Sequence, residues 1–422
     1  MKYKYLVSLI TIIAGFNLSA KAVLADVVVE WQAKNNEVNI QKAIDTGDST
    51  IIIPKADKPW LVGGRIFAKK PNQKIIFKPG VVVQAQPGAF KNKFHSMITV
   101  EADNVTLSGY DATLQMRKAD YQNPKLYTPS QFRHNIMIRG VNNFTVEGLT
   151  LKDSGGDGIA VAHGRREKNQ LPAKRYSSGI IRDIVADNNH RQGISIMSAK
   201  DLLIENSTFK NTSGTRPSAG IDIEPDYPWQ KLANIQFKNV DLINNDRHGI
   251  QIGLGKYRGQ QVENISISFD DCKSIGNGEY GLKIQGIKPG FYNGPQGTID
   301  FANFEVKASG QDGIWFRNDQ KDPNKTFKVK FENTSVVNAA QQGSTYFPLK
   351  LWNTKVPGGV TNVDFGNDFS VVDNKSRPPL MTNNIARKQG FTNVSGTIKV
   401  NNPQKKPVNL GDNLNNVTLQ VK

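Results

Sequence analysis

The chain has one cysteine, Cys272, among 422 residues, so no disulfide can form within it. Cys272 stands in Asp270-Asp271-Cys272-Lys273 on a strand-like segment and reads as a small buried residue, not a nucleophile. Acidic residues are scarce: 37 Asp and Glu are set against 54 Lys and Arg, a formal charge of +17 that favours a polyanionic partner. After the first 25 residues no stretch approaches the apolar length of a membrane span. No stacking-rich nucleic-acid module is visible either. The charge does not by itself choose between an acidic polysaccharide or oligosaccharide, a nucleic acid and an anionic membrane; no nucleic acid is expected, since the export signal at the start of the chain argues against it.

The one long apolar run, Leu6 to about Ala20, follows Lys2 and Lys4 and precedes Val23-Leu24-Ala25, the pattern of an export signal cleaved before Asp26. Residues 1–25 are expected to be that signal, and 26–422 a periplasmic or secreted monomer of charge +14. An uncleaved anchor is the alternative.

Six phrases recur along the middle of the chain: Gly158-Ile159-Ala160-Val161, Gly193-Ile194-Ser195-Ile196, Gly220-Ile221-Asp222-Ile223, Gly249-Ile250-Gln251-Ile252, Gly281-Leu282-Lys283-Ile284 and Gly313-Ile314-Trp315-Phe316. Their glycines are 35, 27, 29, 32 and 32 residues apart. A strand recurring at this interval with no helix between copies marks a β-solenoid. Alternation places Ile159, Ile194, Ile221, Ile250, Leu282 and Ile314 inside, and Ala160, Ser195, Asp222, Gln251, Lys283 and Trp315 outside. Asn189, Asn245 and Asn277, with Ser154 and Ser309, recur four residues before the glycine and predict a ladder of stacked polar side chains. A short helix over Asn39–Asp45 precedes the strand Thr50–Ile53 and is placed to cap one end. Regular coils are expected over about 74–353, with irregular coils and a cap to 422. Residues 117–134 and the insertion 162–178 interrupt the period and are expected to wall the groove.

The outward column gathers the chemistry. Asp222 and Glu224 point the same way on one strand, and Asp226 follows. His190-Arg191 and Arg247-His248 occupy equivalent turns beside them; Gln251, Lys283, Trp315 and Arg317 lie on the coils that follow. Arg165 and Arg166 in the insertion add positive charge. Asp153, Asp157, Asp183 and Asp187 read as turn caps or as partners of Arg182 and Lys152.

This coil pattern, with Asn39-Ile40-Gln41-Lys42-Ala43 and Ile52-Ile53-Pro54-Lys55 at its entry, resembles right-handed parallel β-helix proteins of the pectate-lyase-like superfamily over roughly residues 36–400. The resemblance implies an all-β, single-stranded right-handed parallel β-helix with a short N-terminal capping helix, in a group that cuts, epimerises or merely binds polysaccharides. Arg247-His248-Gly249 and the Lys283 strand one coil later are similar to the His-Gly turn and basic residue of polygalacturonase-type hydrolases. Where those enzymes carry an adjacent Asp-Asp pair, this chain has Asp222-Ile223-Glu224.

Three chemistries fit these residues. A β-elimination lyase would use Asp222, Glu224 and Asp226 as ligands for Ca²⁺, or a cation alone, to neutralise a uronate carboxylate, with Lys283 or His248 as base. An inverting hydrolase would use Asp222 and Glu224 as acid and base. A C5 epimerase would reuse the lyase groups. The remaining groups (His190, Arg191, Arg247, Gln251, Trp315, Arg317, Arg165 and Arg166) would bind substrate. The cationic balance favours the lyase, and a noncatalytic glycan-binding or export protein is the alternative from another class.

Overall fold

The computed structural model describes residues 26–422 apart from 167–169, 260–261, 287–293, 319–321, 353–359, 383–389, 404–407, 409 and 411–413. The expected signal peptide lies outside the described residues.

Among the described residues, eleven parallel strands follow one another in chain order in one sheet, from Ile66–Ala68 to Leu380–Thr382. Their register stacks one apolar side chain per coil: Ile66, Ile98, Ile136, Ile159, Ile194, Ile221, Ile250, Leu282, Ile314, Leu349 and Leu380. All eleven are buried. The regular coils thus begin before residue 74, and parallel pairing continues on the other sheet to Gln420–Val421. That second sheet, of 23 strands, closes the tube. Its interior carries a phenylalanine column, Phe237, Phe269, Phe301, Phe331 and Phe365, with ring centroids 4.5, 4.8, 5.2 and 5.5 Å apart. These intervals match the spacing of paired strands, so one ring per coil fills the width of the tube.

The recurring glycine is a matter of room. A methyl on Gly249 would lie 2.1 Å from Ser274 Oγ and 2.6 Å from the Gly281 carbonyl oxygen; one on Gly220 would lie 2.9 Å from the Gly249 oxygen. The chain turns inward there, against the polar ladder. That ladder is as expected: Asn245 Nδ2 donates to Asn277 Oδ1 at 2.9 Å, Asn277 Nδ2 to the Leu242 carbonyl at 2.9 Å, and Asn189 Nδ2 to the Leu151 carbonyl at 3.2 Å. In the coil of Gly220 the rung is Thr212, whose N–H donates to Asn245 Oδ1. A second, exposed ladder has no counterpart in the sequence reading: Asn206, Asn239, Asn303 and Asn333 all sit at positive φ on the outside of turns, where asparagine tolerates the geometry. Asn239 donates to Asn206 and Asn333 to Asn303.

The capping helix runs Asn36–Asp45, three residues longer at its start than expected, because the Asn36 amide anchors it to the carbonyls of Gln32 and Leu61. Its Ile40, Ala43 and Ile44 are buried against the first coil. Cys272 is buried, which pushes its thiol up to about 12.

Gly249→Ala is expected to destabilise the protein by about 1–3 kcal/mol through overpacking, and Phe269→Ala by about 3–5 kcal/mol through the cavity left in the column. Denaturant midpoints of the two variants against wild type check both.

Candidate active site

Asp222 lies on the outer face of Ala219–Ile223, in register with Ser195 on one neighbouring strand and Gln251 on the other; Lys283 and Trp315 continue the column. Glu224 follows on the same face. Both carboxylates line a cleft of about 310 Å³ with Arg191, Arg216, Asp226 and Lys256. The 117–134 loop closes one side through Gln131 and Phe132, as expected of it. That loop is built around Arg133, fully buried, which donates to the carbonyls of Phe90, Lys91 and Thr128.

Asp222 is only 1% exposed, at the floor of the cleft. Gln192 Nε2 donates to its Oδ2 at 2.6 Å and Gln251 Nε2 to its Oδ1 at 3.1 Å, while the Arg191 guanidinium stands 3.9 Å away. Burial, reinforced by the negative charge of Glu224, outweighs these donors and lifts the Asp222 carboxyl to about 7. Gln251 extends the chain of contacts, since its Oε1 accepts from Lys283 Nζ at 3.1 Å. Burial, then the Arg247 charge, holds the Lys283 ammonium below its ordinary range.

Asp157 corrects the sequence reading. It caps no surface turn and pairs with neither Arg182 nor Lys152; Arg182 meets Glu147 at 2.7 Å instead. Asp157 is fully buried beside the site, accepting from Ser195 Oγ at 2.7 Å, with Arg191 3.7 Å away. Its own N–H donates to His134 Nδ1 at 2.9 Å, so that nitrogen carries no proton. Burial draws the His134 imidazole down to about 4. Burial also works against the Arg191 guanidinium, yet Asp157 and Asp222 together hold its pKa above the ordinary value. The signal was positional. Asp157, Gln192 and His248 each stand two residues before a stacked isoleucine, immediately ahead of the glycine, and the Gln192 side chain reaches the outer face from there.

The other expected residues fall into separate places. His190 is held at both ring nitrogens, by Gln122 at 2.8 Å and Thr215 at 2.8 Å, tying the 117–134 loop to the extra turn at 212–218. His248 is buried with its ring stacked on Tyr280 at 5.1 Å; burial, then Lys283 and Arg247, drives it down to about 2. Arg247 pairs with Glu279 at 2.8 Å. Trp315 is partly exposed 6.1 Å from Tyr280, and Arg317 is in register with Gln285. Arg165 pairs with Glu101 at 2.7 Å and Lys174 with Asp103 at 2.6 Å, which clamps the insertion to neighbouring coils. Asp226 is taken by Lys256 at 2.8 Å. Asp222 and Asp226 thus each have nitrogen donors in place. Among the described residues no group of three His, Cys, Asp or Glu side chains is disposed to hold a metal ion.

A family model described as the right-handed beta helix region matches residues 130–286. The fold is a right-handed parallel β-helix. The A-module of the mannuronan C-5 epimerase AlgE6 of Azotobacter vinelandii superposes with a TM-score of 0.62 at 14% identity, over 92% of this chain and 94% of that one. A family 28 exopolygalacturonase of Yersinia enterocolitica gives 0.55 at 11% identity, over 94% and 78%. The polygalacturonase of Erwinia carotovora ssp. carotovora gives 0.51 at 15%, over 88% and 96%. The resemblance to pectate-lyase-like β-helix proteins therefore holds at the level of fold. In sequence, the uncharacterized protein YclG of Bacillus subtilis (strain 168) is 24% identical over 183 residues, 41% of this chain; the match spans 31% of that relative's length. Among the described residues no helix is long and apolar enough to cross a membrane.

The Asp222 carboxyl, raised in the folded state, binds a proton that the unfolded chain has already lost between about pH 4 and pH 7. Stability should therefore fall as pH rises through that window, by a few kcal/mol. Asp222→Asn should remove this part of the slope, as read from denaturant unfolding of both proteins at pH 4.5 and 7.5.

Proposed function

We propose that this protein cleaves an acidic polysaccharide by hydrolysis in the cleft over Asp222 and Glu224. The observation that carries the reading is the raised Asp222 carboxyl beside a second carboxylate, on a floor rimmed by cations. Two titratable groups set apart by environment are the usual mark of an acid and base pair. Asp222, protonated up to about neutrality, would donate to the departing glycosidic oxygen. Glu224, partly exposed and two residues along the strand, would draw the proton from the attacking water. Their separation along the backbone is roughly 6.6 Å by strand rise, near the roughly 6.5 Å lower bound for inversion. Arg191, Arg216, Lys256 and Lys283 would offset the carboxylates of a uronate chain.

Glycan-active β-helix proteins among the structural relatives support a polysaccharide substrate, and the cationic composition supports an acidic one. The export signal expected over residues 1–25 would bring the protein to where such polymers occur. β-Elimination is the second reading, favoured by one observation: the depressed Lys283 ammonium is nearer than an ordinary lysine to serving as a base. His248, covered and held neutral, fits the base less well than the sequence alone implied.

The test is a panel of uronate-containing and neutral glycans, with and without chelator. New reducing ends without ultraviolet absorbance report hydrolysis; an unsaturated uronate product reports elimination; binding without either reports a noncatalytic glycan-binding protein. Under hydrolysis, Asp222→Asn and Glu224→Gln should each lower kcat by about 10²–10⁴. Wild-type kcat/KM should fall above pH about 7 as Asp222 loses its proton. Full activity in both variants would move the site elsewhere.

A further inference from the structure

The 162–178 insertion and the turn after Glu224 bring together side chains that the chemistry above leaves unused. Tyr227 and Trp229 stack with centroids 5.2 Å apart and planes within 11°. His163 meets Trp229 edge-on at 4.9 Å. Arg166 lies over the Tyr227 ring at 4.7 Å. Trp229 is buried as the base of this column, whereas Tyr227 is 38% exposed and Arg166 is exposed. The Arg166 Nε donates to the Gln170 carbonyl at 3.2 Å; among the described residues no acceptor meets its two terminal nitrogens.

The column adjoins the cleft. Asp226, immediately before Tyr227, lines it, as does Lys256, paired with Asp226. A guanidinium already held over an aromatic ring loses less freedom on accepting a carboxylate than a free arginine does. Its planar fork matches a carboxylate by two parallel hydrogen bonds. The exposed rim of Tyr227 offers an apolar edge for the carbon face of a sugar ring.

We propose that Arg166, held over the Tyr227 ring, forms with Lys256 a binding subsite for one uronate unit of the polymer, beyond the Glu224 end of the cleft. This rests on the acidic-glycan reading above, which it extends from the cleavage point to a neighbouring sugar.

Binding is measured in Asp222→Asn protein, so that turnover does not consume the ligand, by affinity electrophoresis in polygalacturonate, in alginate and in neutral dextran. Arg166→Gln and Tyr227→Ala should each weaken binding of an acidic polymer about tenfold or more, the equivalent of about 1.4 kcal/mol, with dextran mobility unchanged. Arg166→Lys, which keeps the charge and loses the flat fork, should show most of that loss. Undiminished affinity in Arg166→Gln, which alters only an exposed side chain, would overturn the subsite. So would an Arg166→Lys protein that binds like its parent, or a parent that binds neither acidic polymer. Products are assayed separately in the wild-type chain. Subsite-dependent binding without any product would refute hydrolysis while leaving the subsite standing.

Discussion

Everything in this molecule depends on the parallel backbone ladder that sets each coil one strand spacing, about 4.8 Å, from the next. Because register holds across the eleven-stranded sheet, a residue's position within its coil fixes its column. Columns facing inward become the isoleucine and phenylalanine stacks. Those facing outward become a surface on which residues about 30 apart in sequence are nearest neighbours. Asp222, Ser195 and Gln251 meet for that reason alone.

The same constraint explains why the fold was so legible. The glycine phrases located the strands, the alternation located the inside, and the Asn and Ser offsets located the polar ladder. What remained hidden was whatever the ladder does not dictate. The position just before the glycine, from which Gln192 reaches the outer face, went unread, so Asp157 passed for a turn cap. The sequence sets His190 and His248 beside the carboxylates but says nothing of their cover. One is enclosed by a loop whose own fold depends on buried Arg133, and the other lies beneath Tyr280. The Tyr227–Trp229 column was invisible because its members come from the 162–178 insertion and the turn after Glu224, where no period exists to relate them.

The site shows how a solenoid makes a polar environment without a deep fold. Arg191 stands between two buried carboxylates, Asp157 and Asp222, on different coils. Neither acid is paired closely enough for its charge to be cancelled outright, and the Asp222 carboxyl retains its proton to about neutral pH. Desolvation sets the value and neighbouring coils trim it.

Gln251 gives this arrangement a direction. An amide has one accepting end and one donating end, and rotation by half a turn exchanges them at almost no cost in shape. A lysine ammonium only donates, so Lys283 requires the oxygen of Gln251 on its side and thereby commits the NH₂ group to Asp222. The cation thus fixes the polarity of the contact one coil away without touching the carboxyl itself. Were an acceptor to stand in place of the ammonium, the amide could turn over and present oxygen to Asp222, a partner suited only to the protonated acid. A single side chain on the next coil therefore selects which protonation state of Asp222 its neighbour welcomes, a form of control that stacked coils provide and that isolated strands lack.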